Sequence, residues 1–371
     1  MSAMLEPDEE FPPPPRRNPL LFGHEKAESL MRSQFEGKRF HHAWILGGPP
    51  GIGKATLAYR FARFILAGGV SESSDLFAGE DQAADTSLFI DSESSIFRRI
   101  AAGGHPDLKI IERGLDPKTG RMRSTITVDD VRKVSDFLHK TPGEGGYRVV
   151  VVDTLDEMNR NAANALLKSL EEPPPNTVLL LASHAPGRLL PTIRSRCRML
   201  RLSALDAPAF TKAVSALDPD LSASQITELH RISGGSPGEA LRLMEEGGIE
   251  LYGEMIDLIE TLPDTNTTAL LALADRVSRK EGETTYRTLT TLLSQWLGRL
   301  VRFGALGTEA NEGQEARLMA RLANARSLDQ WVEVWENLQR LFAKTDSVYL
   351  DRRAVVLSAF STLEKAARPR A

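Results

Sequence analysis

Apolar and polar positions fall into two regimes along this chain, and the change comes near Leu205. Before it, short apolar runs alternate with stretches of helical spacing. Ala43–Leu46, Leu108–Ile111, Val149–Val152 and Thr177–Ala182 read as strands, with Arg198–Leu202 as a last edge strand. The valines 149–152 show no alternation, which marks a parallel strand covered on both faces. Helical spacing places Ala27, Leu30, Met31 and Phe35 on one face after a turn-rich entry, Asn18–His24. The same spacing groups Leu57, Phe61 and Ile65, then Val131, Val134, Phe137 and Leu138. Thr127, with Asp130 three residues on, reads as a helix N-cap with an acidic first turn. Asn161–Glu172 is a strong helical stretch stopped by Pro173, Pro174 and Pro175, and Leu189–Arg196 a short one. Gly114–Ser124 supplies a loop or hairpin turn. Strands alternating with helices over 20–203 predict one doubly wound α/β domain, its ligand site at the carboxyl ends of the strands.

Past Leu205 the strand signals stop. Residues 206–248 read as a small helical domain broken by Asp218-Pro219 and Gly234-Gly235-Ser236-Pro237. Residues 249–371 read as all-helical. The clearest stretch there starts at Ser327, with Gln330 completing a capping box and Leu328, Trp331, Trp335, Leu338 and Leu341 as its stripe. At the other end, residues 1–18 are acidic and then proline-rich, a flexible lead. Gly68–Gly104, rich in Ser, Asp and Gly, reads as an insertion within the α/β domain of 19–205.

Composition narrows the class. The 371 residues allow two or three domains; 41% hydrophobic and 26% charged residues describe an ordinary globular chain. No apolar run approaches the roughly 20 residues of a membrane span. The first ten residues lack the basic-then-apolar layout of a signal peptide, so a cytoplasmic location and no membrane partner are expected. A net charge of -4 points to no dominant nucleic-acid surface. The single cysteine, Cys197, excludes an intrachain disulfide and a Cys-rich zinc site. It reads as a packing residue rather than a nucleophile.

The candidate chemistry sits between the first strand and the helix after it. Gly48-Pro49-Pro50-Gly51-Ile52-Gly53-Lys54 fits the phosphate-loop pattern G-x-x-x-x-G-K in its strand–loop–helix setting. Glycines let backbone N–H groups turn inward around phosphate oxygens, and the helix N-terminus adds its positive dipole end. Lys54 would reach the terminal phosphates of a bound ATP or ADP. The position of the Mg²⁺-binding Ser or Thr holds Ala55. Thr56 is a poor replacement, rotated by about 100° on the helix. Asp153, after the valine strand, is the candidate Mg²⁺ carboxylate, or else a turn aspartate. Thr154 stands where such ATPases carry a glutamate base, and losing a positioned base costs roughly 10²–10⁴ in rate. Asp156 and Glu157 read as solvated or helix-capping. The loop is expected to hold nucleotide with weak or absent Mg²⁺ and little hydrolysis.

Three further stretches carry a resemblance: Asn164-Ala165-Leu166-Leu167-Lys168-Ser169-Leu170-Glu171-Glu172-Pro173-Pro174, then Leu179–Ser183, then Pro191-Thr192-Ile193-Arg194-Ser195-Arg196-Cys197. Together they resemble the AAA+ subunits of sliding-clamp loaders, over residues 18–245. The resemblance implies an α/β P-loop domain, a small helical lid and a helical collar (249–371) that joins subunits in a ring. It implies as partners the other clamp-loader subunits, the sliding clamp and, through the complex, primed DNA. The family's sensor arginine position holds Gly238, so with Ala55 and Thr154 three features of catalysis in cis are missing. The resemblance also implies that Arg196 projects into a neighbour's ATP site, where a guanidinium suits spread phosphate charge. Its alternative is a helix-end arginine paired with a local carboxylate. Ser183 matches a first-sensor position or is a plain strand-end serine. His24 lies near the adenine pocket by family position, or packs a turn. Many members carry a four-cysteine zinc module before the position of His105; here that segment has no Cys, so no zinc is expected. An ATP-hydrolysing motor of the same fold is the competing reading, and a free-standing nucleotide kinase a third.

Overall fold

A computed structural model describes residues 13–37, 40–69, 87–116, 120, 122–144, 146–279, 281–307, 314–348 and 350–368. The chain divides into two compact units: Met1–His230 with Gly234–Glu239, and Arg231–Ser233 with Ala240–Ala371.

The first unit is built on β1 (Ala43–Gly47), β2 (Leu108–Ile111), β3 (Arg148–Val152), β4 (Thr177–Ser183) and β5 (Arg198–Arg201), ordered β2-β3-β4-β1-β5. All pairings are parallel. The four valines of β3 are fully buried between β2 and β4, as an apolar run without alternation requires. Register sets Gly47 beside Ser183, and Val152 beside Leu181 and Ile111. The carboxyl ends of β1, β3 and β4 therefore meet along one rim.

Helices α1 (Glu25–Glu36), α2 (Lys54–Leu66), α3 (Ser95–Ala101), α4 (Val128–Leu138), α5 (Arg160–Glu171) and α6 (Pro191–Arg194) flank this sheet. Thr127 and Asp130 form a full capping box at α4, and Asn159 caps α5. Helix α6 is shorter than the stretch Leu189–Arg196: Pro191 fixes its first turn and the chain leaves it at Ser195 for β5. In the insertion, Ser94 caps α3; residues 70–86 lie outside the described ones. In the stretch expected to be a loop or hairpin turn, Leu115 and Met122 form an antiparallel bridge; residues 117–119 and 121 lie outside the described ones.

Helix α2 buries more than its apolar stripe. Arg60 and Arg63 are 6% and 1% exposed. Arg60 pairs with Glu28 at 2.7 Å, and Arg63 lies over the Phe97 ring and donates to the carbonyls of Arg16 and Asn18 at 3.3 and 3.0 Å. Buried charge is tolerated when it is paired and hydrogen-bonded. These bonds fasten residues 16–18 to the domain, where a flexible lead was expected; residues 1–12 are outside the described ones. The unit continues into α7 (Ala207–Leu217) and α8 (Ala223–Ser233) as far as His230, and the start of α9 (Pro237–Glu245) belongs to it as well.

The second unit is helical in its described residues: α10 (Gly248–Glu260), α11 (Thr267–Ser278), α12 (Glu283–Leu306), α13 (Gln314–Ala325), α14 (Leu328–Val348) and α15 (Arg352–Ala367). Within the α14 stripe Trp331 and Leu338 are core, while Leu328, Trp335 and Leu341 are half-buried. Trp331 is buried with its indole N–H on Leu322 O at 2.9 Å, and Trp335 donates to Ser294 O of α12 at 3.0 Å. Tyr252 of α10 sits among Arg231, Arg299 and Glu315, its hydroxyl donating to Glu315 and accepting from both arginines. Among the described residues, no helix is long and apolar enough to cross a membrane.

Candidate functional site

The loop Gly48–Gly53 leaves β1 at the rim and enters α2 at Lys54. Gly51 and Gly53 take φ of 72° and 99°, left-handed backbone that a side chain would strain. Gly48 N donates to Ser183 O at 3.1 Å, anchoring the loop's start to the end of β4. From below, His24 Nε2 donates to Ile52 O at 2.7 Å; because a carbonyl only accepts, this nitrogen carries the proton. His24 is thus buried under the loop backbone. Pro49 and Pro50 are exposed, Ile52 is buried, and Lys54 is 4% exposed with its ammonium donating to Pro49 O. Burial lowers the Lys54 pKa to about 8, against the opposing pull of Asp153 and Asp156. Ala55 presents a methyl where a Mg²⁺-holding hydroxyl is needed, and Thr56 is buried in α2. The loop backbone and Lys54 fit a polyphosphate; the donor set for Mg²⁺ is one hydroxyl short.

The start of α9 rests on this loop. Ser236 Oγ donates to Pro50 O at 2.9 Å and Gly238 N to Gly51 O at 2.9 Å. A Cβ on Gly238 would stand 2.9 Å from Gly51 Cα, so no side chain fits there without moving the loop. The position where the family's sensor arginine is expected is held backbone to backbone.

Across the rim, Asp153 follows β3. Thr154 is 4% exposed; its hydroxyl donates to Asp153 Oδ1 at 3.1 Å and lies 3.3 Å from His184 Nε2. Asp156 is exposed, as expected of a solvated residue, yet it is also a tie between two strand ends. Its carboxylate accepts from Ser183 Oγ at 3.0 Å, His184 N at 2.5 Å and Ala185 N at 3.1 Å, locking the turn after β3 to the end of β4. Ser183, fully buried, spends its hydroxyl proton on that bond. Neither Asp156 nor His184 stood out in the sequence, because their partners lie 27 to 30 residues away and only β3–β4 register brings them together.

Arg196 lies elsewhere, after α6. Its Nη2 pairs with Glu171 Oε1 at 2.8 Å and its Nη1 donates to Thr192 O at 2.9 Å, with the side chain 36% exposed. In the isolated chain the arginine therefore makes the local pair. Arg198 is half-buried, on Gln34 Oε1 at 2.7 Å and over the Trp44 ring, whereas Arg194 and Arg201 are exposed. Cys197 packs half-buried on the core, and burial pushes its thiol up to about 12, which removes nucleophilic character.

A parallel α/β domain with a P-loop at the end of β1, an aspartate after β3 and a helix starting on the loop has the AAA+-type P-loop fold. Residues 23–206 match the family model described as DNA polymerase III, delta subunit. The chain is 38% identical over 236 residues to the DNA polymerase III subunit delta' of Pseudomonas aeruginosa, covering 63% of this chain and 66% of that one. It is 35% identical over 220 residues to the delta' subunit of Escherichia coli, covering 59% and 58%. A more distant match, 25% identical over 288 residues, is the tau subunit of Bacillus subtilis, covering 76% of this chain and 47% of tau. The chain belongs to the delta-prime family of DNA polymerase III subunits. These matches span less than two thirds of the relatives' own lengths.

Proposed function

We propose that this chain serves DNA replication as a clamp-loader subunit of DNA polymerase III, helping to place the sliding clamp on primed DNA. Its partners in a hetero-oligomeric ring are gamma/tau-type ATPase subunits and a delta-type subunit. It keeps a cradle for ATP or ADP, hydrolyses neither at an appreciable rate, and gives Arg196 to the ATP site of the adjoining subunit. The observation that carries this reading is the joint state of one site: a well-formed loop beside Ala55, Thr154 and a Gly238 packed on Gly51. Each change removes one element of hydrolysis in cis, and an arginine supplied in trans is worth roughly 10³–10⁵ in rate.

The competing reading, an ATP-hydrolysing gamma/tau-like motor, needs a base and a metal-holding hydroxyl that this site does not offer. Purified chain assayed alone with Mg²⁺ and ATP separates the two. Turnover at the level of the blank supports the degenerate subunit, and robust turnover contradicts it.

A further inference from the structure

We propose that Glu171 is a latch on Arg196: in the free chain its carboxylate holds the guanidinium back, and only a neighbour carrying the terminal phosphate of ATP draws it out. The inference rests on the reading that Arg196 serves the adjoining subunit's ATP site. The Nη1 of Arg196 donates to Thr192 O at 2.9 Å, four residues before it, and lies 3.4 Å from Ser195 Oγ. Its Nη2 meets Glu171 Oε1 at 2.8 Å. The side chain is thus folded back along the turn of α6 and closed by a carboxylate from the end of α5.

Glu171 does not stand there for the benefit of its own helix. It lies in the last turn of α5, where the free carbonyls and the negative end of the helix dipole disfavour a carboxylate. Lys168, one turn earlier, offers a cation at i,i+3 spacing, yet the carboxylate reaches across to Arg196. Thr192 O takes the Ser195 hydroxyl at 3.1 Å as well as the guanidinium, so the corner is built of acceptors. The Arg196 and Glu171 side chains are 36% and 45% exposed. Water reaches the pair, and it opens without unpacking the core.

A guanidinium keeps its charge and only donates, so two anions compete for it. Glu171 offers a single charge. A γ-phosphate offers more charge, spread over three oxygens that accept the planar fork in two parallel bonds. ADP lacks that group. The latch therefore yields when the neighbour holds ATP and closes again once the terminal phosphate has gone, which ties the finger to the neighbour's loaded state. Arginine gains most as charge develops in the transfer step, so the work of opening the latch falls on kcat more than on KM.

Steady-state ATP hydrolysis by the chain reconstituted with its ATPase and delta-type partners tests this. The complexes carry wild type, Glu171→Gln, Arg196→Ala or both substitutions, and each is checked for assembly by size-exclusion chromatography. Glu171→Gln keeps the shape and removes the charge. It is expected to raise kcat roughly two- to fivefold, the scale of one exposed pair, with KM little changed. In the Arg196→Ala background the same substitution changes nothing, a result that a merely structural glutamate would not give. An unchanged or lower kcat in Glu171→Gln, a rise that persists without Arg196, or a complex that no longer assembles overturns the latch and leaves the finger standing. Turnover unchanged by Arg196→Ala in an intact complex removes the finger, and the latch with it.

Discussion

Arg196 and Glu171 stand 2.8 Å apart at a half-exposed surface where the end of α5 meets the end of α6. The pair holds the guanidinium in place without burying it. Exposed pairs contribute about 0–1 kcal/mol, because water screens the charges and two long side chains must be ordered. Glu171→Gln is therefore expected to shift the stability of the isolated chain by under about 1 kcal/mol in urea unfolding. A much larger loss would mean that the pair is a structural brace, too costly to open toward a neighbour.

Lys54 gives a pH signature. Its pKa falls from 10.5 to about 8 on folding, so between those values the unfolded chain holds a proton that the folded chain has released. Stability accordingly rises with pH through that window, and the cost of the buried ammonium is fully present below it. The cost is at most roughly 3 kcal/mol. Lys54→Met should be more stable than wild type at pH 7, and the difference should shrink toward pH 10. Equal urea midpoints at both pH values would show that the ammonium is not desolvated.

Gly238→Arg restores the residue type of an ATPase sensor at a place that cannot receive it. The new Cβ meets Gly51 Cα at 2.9 Å, and relief requires the loop or the start of α9 to shift. Overpacking of this kind costs about 1–3 kcal/mol. The variant is expected to lose stability and gain no ATP turnover. Full stability together with new turnover would show that the site lacks only this arginine.

Much of the domain is legible because its strands announce themselves locally. The Val149–Val152 run, the loop glycines and the Thr127–Asp130 cap each depend on neighbours in sequence, and the structure places them as read. What escapes is set by distant partners. Arg60 and Arg63 look like solvated residues beside the Leu57–Ile65 stripe, yet Glu28 and the carbonyls of Pro19, Arg16 and Asn18 bury them. Asp156 looks like a turn carboxylate and is the tie between two strand ends. Spacing alone carries no signal for either, since the bonds span 27 to 47 residues. The Arg196 surface is ambiguous for a different reason: a pair made in the isolated chain and a contact made in an assembly draw on the same guanidinium.

The most direct test of the account is ATP hydrolysis by a reconstituted complex of this chain with its ATPase and delta-type partners, comparing wild type with Arg196→Ala. Size-exclusion chromatography confirms that each complex is assembled before rates are compared. Loss of the neighbouring site's turnover by a factor of about 10³ or more, with assembly intact, is the predicted result. An unchanged rate in an intact complex would contradict the assignment of Arg196 to the neighbour's ATP.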